Sequence, residues 1–144
     1  MKDGDLRSLF RQRLPQFQWT SVETAGTASG VPDSEYCAQN GTQGWVEFKH
    51  TNIYYVNISP FQVAWLMRRC RYGGNAWIAV RRTPQSKRDW GVDELWLMRG
   101  DQAEELLKKG LEGIYADCWE GGPSKWNYQQ IAELLSHKSN LPST

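Results

Sequence analysis

Three residues in the first third of this 144-residue chain have the types and spacing to do chemistry together. Asp33 follows a proline in Gly30-Val31-Pro32-Asp33, and Glu47 and Lys49 stand two apart in Trp45-Val46-Glu47-Phe48-Lys49. In an extended strand, residues two apart point to the same face. The spacing therefore sets the Glu47 carboxylate beside the Lys49 ammonium and turns Val46 and Phe48 toward a core. Two carboxylates and an ammonium on one patch are costly to gather without a purpose, and a divalent cation supplies one. Carboxylate oxygens suit Mg²⁺, which keeps several waters and takes one or two protein carboxylates together with substrate phosphate. A lysine beside it would orient a water or offset charge on a phosphate. No Ser-His-acid arrangement points to a covalent enzyme intermediate instead.

The surrounding pattern shows which elements must position these side chains. Leu6, Leu9, Phe10 and Leu14 have helical spacing from Asp5, with Asp3 or Asp5 as cap and Pro15 as terminator. Residues 17–24 alternate as a first strand, and Gly26 to Gly30 forms a turn. Ser34 to Ala38 and Gly44 to His50 make two further strands, joined through Asn40-Gly41, a hairpin signal. Ile53 to Ile58 reads as a short extended segment. Ser59 then caps a helix with Pro60 at its first position, and Gly73-Gly74 ends it. Asn75 to Arg82 is a strand apolar enough to be buried on both faces, followed by a charged loop from Pro84 to Gly91 and a strand from Glu94 to Arg99. Asp101 caps a helix to Lys109. Residues 116–122 read as irregular, and Ser124 caps a last helix through about His137. The first three strands form an antiparallel meander, and the strand after the Ser59 helix returns parallel by a right-handed crossover. The class is α/β, a mixed sheet flanked by helices. One domain over residues 1–138 is expected, with a polar tail at 139–144.

Pro32-Asp33 followed by Glu47-Phe48-Lys49 resembles the PD-(D/E)XK nuclease signature. With Ser29-Gly30-Val31 ahead of it, the chain is similar to the subset that includes VRR-nuclease domains and small Holliday-junction resolvases. The resemblance runs from about Trp19 to Arg82. It implies a restriction-endonuclease-like core and a metal-dependent endonuclease acting on DNA. Mg²⁺ would be the cofactor, with Mn²⁺ as a substitute. Asp33 and Glu47 would be the metal ligands, and Lys49 would sit near the attacking water or the scissile phosphate. The resemblance also gives Gln62, on the following helix, a place facing the site. By its spacing Gln62 equally fits a capping box with Ser59. Many members carry a further acid on the first helix. Here Asp5 is the nearest and reads as a cap; Glu23 or Glu35 could substitute, and a single metal or an acid from a partner subunit are the alternatives. A resolvase makes two symmetric cuts, so the resemblance implies a homodimer.

A net charge of +1 does not by itself indicate nucleic acid. The distribution does more, because Arg68, Arg69, Arg71, Arg81, Arg82, Lys87 and Arg88 form a block with no acid inside it. Such a block suits the phosphates of a duplex or branched DNA, and an exposed Trp90 would stack on an unpaired base. The other tryptophans, among them Trp45, Trp65, Trp77 and Trp96, are assigned to packing, and Trp119 and Trp126 flank a turn. Cys37, Cys70 and Cys118, with only His50 and His137, give neither a disulfide framework nor a zinc site. No apolar run spans a bilayer and no signal peptide is evident, so a cytoplasmic protein is expected, in a host cytoplasm if viral. The leading expectation is a structure-selective endonuclease of the Holliday-junction resolvase kind. The alternatives are a less selective flap or single-strand nuclease, or a DNA-binding or virion-associated protein that keeps the fold without cutting.

Overall fold

The structure, a computed structural model, describes residues 3–22 and 30–137. Among them, six strands pair in sequence order into one sheet: β1 (Gln18–Ser21), β2 (Ser34–Cys37), β3 (Gln43–Thr51), β4 (Ala76–Arg82), β5 (Glu94–Arg99) and β6 (Asp117–Trp119). Four helices flank it: α1 (Asp3–Arg13), α2 (Pro60–Arg71), α3 (Ala103–Lys109) and α4 (Tyr128–Ser136). Neighbouring strands run antiparallel except β3 and β4, which are parallel. A parallel pair needs a crossover, and α2 provides it. The antiparallel meander with a parallel return strand is therefore the architecture, as the sequence led one to expect.

Period-2 alternation divides the central strands between two cores. On one face Val46 and Phe48 of β3, Trp77 and Ala79 of β4, and Leu95 and Leu97 of β5 pack with Leu6, Phe10 and Leu14 of α1 and Ile131 and Leu135 of α4. On the other face Ala76, Ile78 and Val80 of β4 and Met98 of β5 pack with Val63 and Leu66 of α2 and Leu106 of α3. β4 is buried on both sides because helices cover both of its faces. The Tyr36 phenol, raised well above its ordinary pKa by burial, donates to the Leu135 carbonyl at 2.7 Å and ties β2 to α4.

Several local expectations change. Residues 53–58 lead into α2 without pairing into the sheet. The Thr51 hydroxyl accepts from the Ile53 N–H and donates to the Tyr55 carbonyl, and so turns the chain while Val56 and Ile58 anchor it in the core. Residues 117–119, expected to be irregular, pair with β5 as the short edge strand β6. Three half-polar residues carry no periodic signal, so their pairing is decided by the neighbouring strand. Asn127, not Ser124, caps α4, its side chain accepting from the Gln130 N–H at 3.1 Å. Asp101 lies in a 3-10 turn (Gly100–Gln102) that leads into α3 without a side-chain cap. Asp5 is inside α1, not at its cap. The polar tail and most of the turn expected at Gly26 to Gly30 lie outside the described residues. No helix among the described residues is long and apolar enough to cross a membrane.

Candidate active site

Glu47 and Lys49 project from β3 on the face that α2 covers, since they lie beside Ile78 and Val80 of β4 in the parallel register. Their side chains retain 7% and 13% exposure, and the Lys49 Nζ lies 3.7 Å from Glu47 Oε2. The β2–β3 register pairs Ser34 with Val46. Continued by one residue, it sets Asp33 across from Glu47, and directly opposed residues share a face. The Asp33 carbonyl accepts from the Val22 N–H at 2.8 Å, which holds this backbone in the extension of β1.

Gly30 explains how the loop before Asp33 reaches this place. Its φ is +85°, and a Cβ there would lie 2.2 Å from the Phe61 carbonyl oxygen and 3.0 Å from the Gln62 nitrogen. The loop therefore rests directly on the first turn of α2, which only a residue without a side chain permits.

That first turn also supplies Gln62. Its Nε2 donates to Glu47 Oε2 at 3.3 Å, and its Oε1 accepts from Lys49 Nζ at 3.0 Å. The same Oε1 accepts from the Ser59 N–H at 3.0 Å, while Ser59 Oγ accepts from the Gln62 N–H at 3.1 Å. The capping-box reading and the site-facing reading are both true of this one side chain. A carbonyl oxygen has two lone pairs, so the amide that closes the helix N-terminus also bridges carboxylate and ammonium. Replacing Ser59 with alanine should cost about 1 kcal/mol of stability in urea unfolding. Because Ser59 holds the turn that aims Gln62, any activity should fall with it.

Other proposed acids do not join this group. Among the described residues, no cluster of three or more His, Cys, Asp or Glu is placed to hold a metal. Glu35 is set opposite Trp45, two strand steps away on the same face. Asp5 is on α1, which covers the other face of the sheet. Glu23 lies outside the described residues. His50, on the opposite face from Lys49, bonds Thr83 Oγ1 at 2.7 Å. The Cys118 thiol is pushed up to about 11, by burial first and then by Glu94 and Glu120, so it is protonated at neutral pH.

The basic block of the sequence is divided in space. Arg68, Arg69 and Arg71 end α2, where Arg69 stacks over Trp65 at 4.4 Å and Trp45 at 5.4 Å, a packing that the sequence did not signal. Lys87 and Arg88 lie exposed in the β4–β5 connection, at the other end of the sheet. From Trp45 to Thr51 is six strand steps, so the two ends are about 20 Å apart with Glu47 and Lys49 between them. Arg81 and Arg82 lie at this second end, beside His50 and Thr51, but their charges are already paired. Arg81 makes a two-pronged pair with Asp93, at 2.8 and 2.6 Å, and lies over the Trp126 ring. Arg82 is 7% exposed, bonds Glu94 Oε1 at 2.8 Å and stacks on Tyr54. The acids that bind them, Asp93 and Glu94, lie just beyond the block in sequence and return beside it as β5 pairs with β4. Arg82→Ala would strand the buried Glu94 carboxylate and should destabilise by about 3 kcal/mol in urea unfolding. A variant as stable as the parent would show that this pair does not hold the strands.

No protein-family model matches the sequence and no curated protein matches it. Among solved structures, the chain is similar to a Holliday junction resolvase from the hyperthermophilic archaeon Archaeoglobus fulgidus, with 16% identity over 90% of this chain and 95% of that one and a TM-score of 0.48.

Proposed function

We propose that this chain is a metal-dependent DNA endonuclease that selects branched substrates. The reading is carried by one observation: a strand-borne carboxylate and ammonium, 3.7 Å apart and both bonded by a helix-borne amide, with a second carboxylate set opposite in register. The donor set fits a hard cation such as Mg²⁺. Two carboxylates are as many as such an ion commonly takes from a protein, the rest of its sphere being water and phosphate. Asp33 and Glu47 would hold it, with Mn²⁺ as a substitute. When bound, the cation supplies Lewis acidity and lowers the pKa of a coordinated water.

The side chains of the chain do the remainder. Gln62 fixes the Lys49 ammonium by its carbonyl oxygen, so the lysine presents its remaining N–H donors without searching rotamers. A cation held in place before the reaction is worth more to a developing phosphate charge than a mobile one. The same amide donates to Glu47 and steadies the carboxylate oxygens. Positive charge on both sides of the site supports a nucleic-acid substrate lying along the sheet: Arg68 and Arg71 at one end, Lys87 and Arg88 at the other. Two symmetric cuts in a branched substrate would need two copies of the chain.

The test uses a labelled four-way junction, a flap and a plain duplex, each with Mg²⁺, Mn²⁺ or EDTA. The expected result is cutting of the branched substrates that requires the metal and is lost in Asp33→Asn and Lys49→Ala. DNA binding in EDTA, with no cutting under either metal, would instead assign a non-catalytic binding protein.

A further inference from the structure

Trp90 is 87% exposed, far more than a tryptophan is normally left in water. It stands in the connection between β4 and β5, and that connection is built as a fixed turn. Ser86 Oγ accepts from the Asp89 N–H and donates to the Asp89 carboxylate, both at 3.2 Å. The Trp90 N–H is directed to the Lys87 carbonyl, and the Val92 N–H bonds the Asp89 carbonyl at 3.0 Å. Lys87 and Arg88, separated from the indole by Asp89, are exposed, and no ion pair among the described residues engages them. Asp93 and Glu94 are paired with Arg81 and Arg82, while Asp89, bonded by the Ser86 hydroxyl, keeps its charge. Glu120 lies across a cleft of about 330 Å³ beside the indole.

The base of this tip is tied to the end of β3 that carries Lys49. The Thr83 N–H bonds the Thr51 carbonyl at 2.9 Å, and the Thr83 hydroxyl meets both His50 and Asn52. The tip therefore leaves the sheet at the same end as Lys49 and the first turn of α2.

We infer that Trp90 is a stacking wedge for an unpaired base at a DNA branch, with Lys87 and Arg88 gripping the flanking phosphates. This rests on the nucleic-acid reading above and names the feature of the substrate that would be recognised. Two adjacent unpaired cations favour a polyanion, and an indole face accepts any base without reading its edge. A continuous duplex offers phosphates but no free base face, so the wedge distinguishes branched from unbranched DNA. The cations do not.

The experiment measures binding in EDTA, apart from any cutting. One probe is a duplex with a single-stranded branch carrying 2-aminopurine at the branch point. The other is the same duplex without the branch. Trp90→Ala should weaken binding to the branched probe by about ten- to a hundredfold and leave the duplex unchanged. It should also abolish the quenching of 2-aminopurine. Trp90→Phe should restore most of both. Lys87→Ala and Arg88→Ala should weaken both probes alike and each reduce the salt slope by about one. An unchanged affinity of Trp90→Ala for the branched probe, or an equal loss on both probes, overturns the wedge while leaving the nuclease reading standing. A parent protein that binds neither probe at any salt overturns both.

Discussion

Glu47→Gln is expected to lower metal-dependent cutting by about a thousandfold or more, the equivalent of about 4 kcal/mol in the activation barrier. The substitution is nearly isosteric. Its amide oxygen can still accept from Gln62 Nε2, which now lies 3.3 Å from Glu47 Oε2. The formal charge that would hold a cation and face Lys49 at 3.7 Å is gone. The fold should hold, because the ion pair to Lys49 is long and the hydrogen bond from Gln62 survives the change. Binding in EDTA should be unchanged or stronger, since a negative charge has left the substrate path. The measurement is single-turnover cleavage of a branched substrate across a Mg²⁺ titration. A variant that cuts at more than a tenth of the parent rate at saturating Mg²⁺ would remove Glu47 from the chemistry.

Gly30→Ala is expected to cost about 2–3 kcal/mol of stability, from a left-handed backbone and a backbone clash together. The Cβ would meet the Phe61 carbonyl oxygen at 2.2 Å, and neither partner is a flexible side-chain end that can swing away. The loop must lift from α2, and Asp33, three residues on, lifts with it. Activity should therefore fall further than stability explains, even under conditions where the variant is fully folded. Gly41 is the control. It has the same φ of +85° with nothing within 4 Å of its Cβ position. Gly41→Ala should cost about 1 kcal/mol, the conformational part alone. Equal urea midpoints for the two variants would show that the Gly30 loop is not seated on the helix as described.

The two basic clusters show where a one-dimensional reading loses its hold. In sequence, Arg68 to Arg88 is a single acid-free block. In the fold, antiparallel pairing of β5 with β4 brings Glu94 opposite Arg82. Asp93 and Glu94 then take up the two arginines nearest the middle of the block. Helix α2 carries three of the others to the opposite end of the sheet. Counting charges along the chain could not foresee this, because partners were supplied by residues twelve positions away. Gln62 shows the converse. Its spacing from Ser59 announced a cap, and its place on the helix after the Glu47 strand announced a site. Sequence offered no means of seeing that one carbonyl oxygen serves both.

The chain by itself determined the alternation that puts Val46 and Phe48 in one core and Glu47 and Lys49 on the other face. It also determined the Ser59 helix start, the Asn-Gly hairpin and the order of the elements around the parallel crossover. These are short-range matters of period, capping and turn chemistry, written in residues a few positions apart. Tertiary structure alone decided that Asp33 comes into register with Glu47, that Gly30 seats its loop on α2, that residues 117–119 become an edge strand, and which arginines keep a free charge. Each of those depends on groups distant in sequence meeting at atomic range, where burial and pairing energies outweigh any local preference of the backbone.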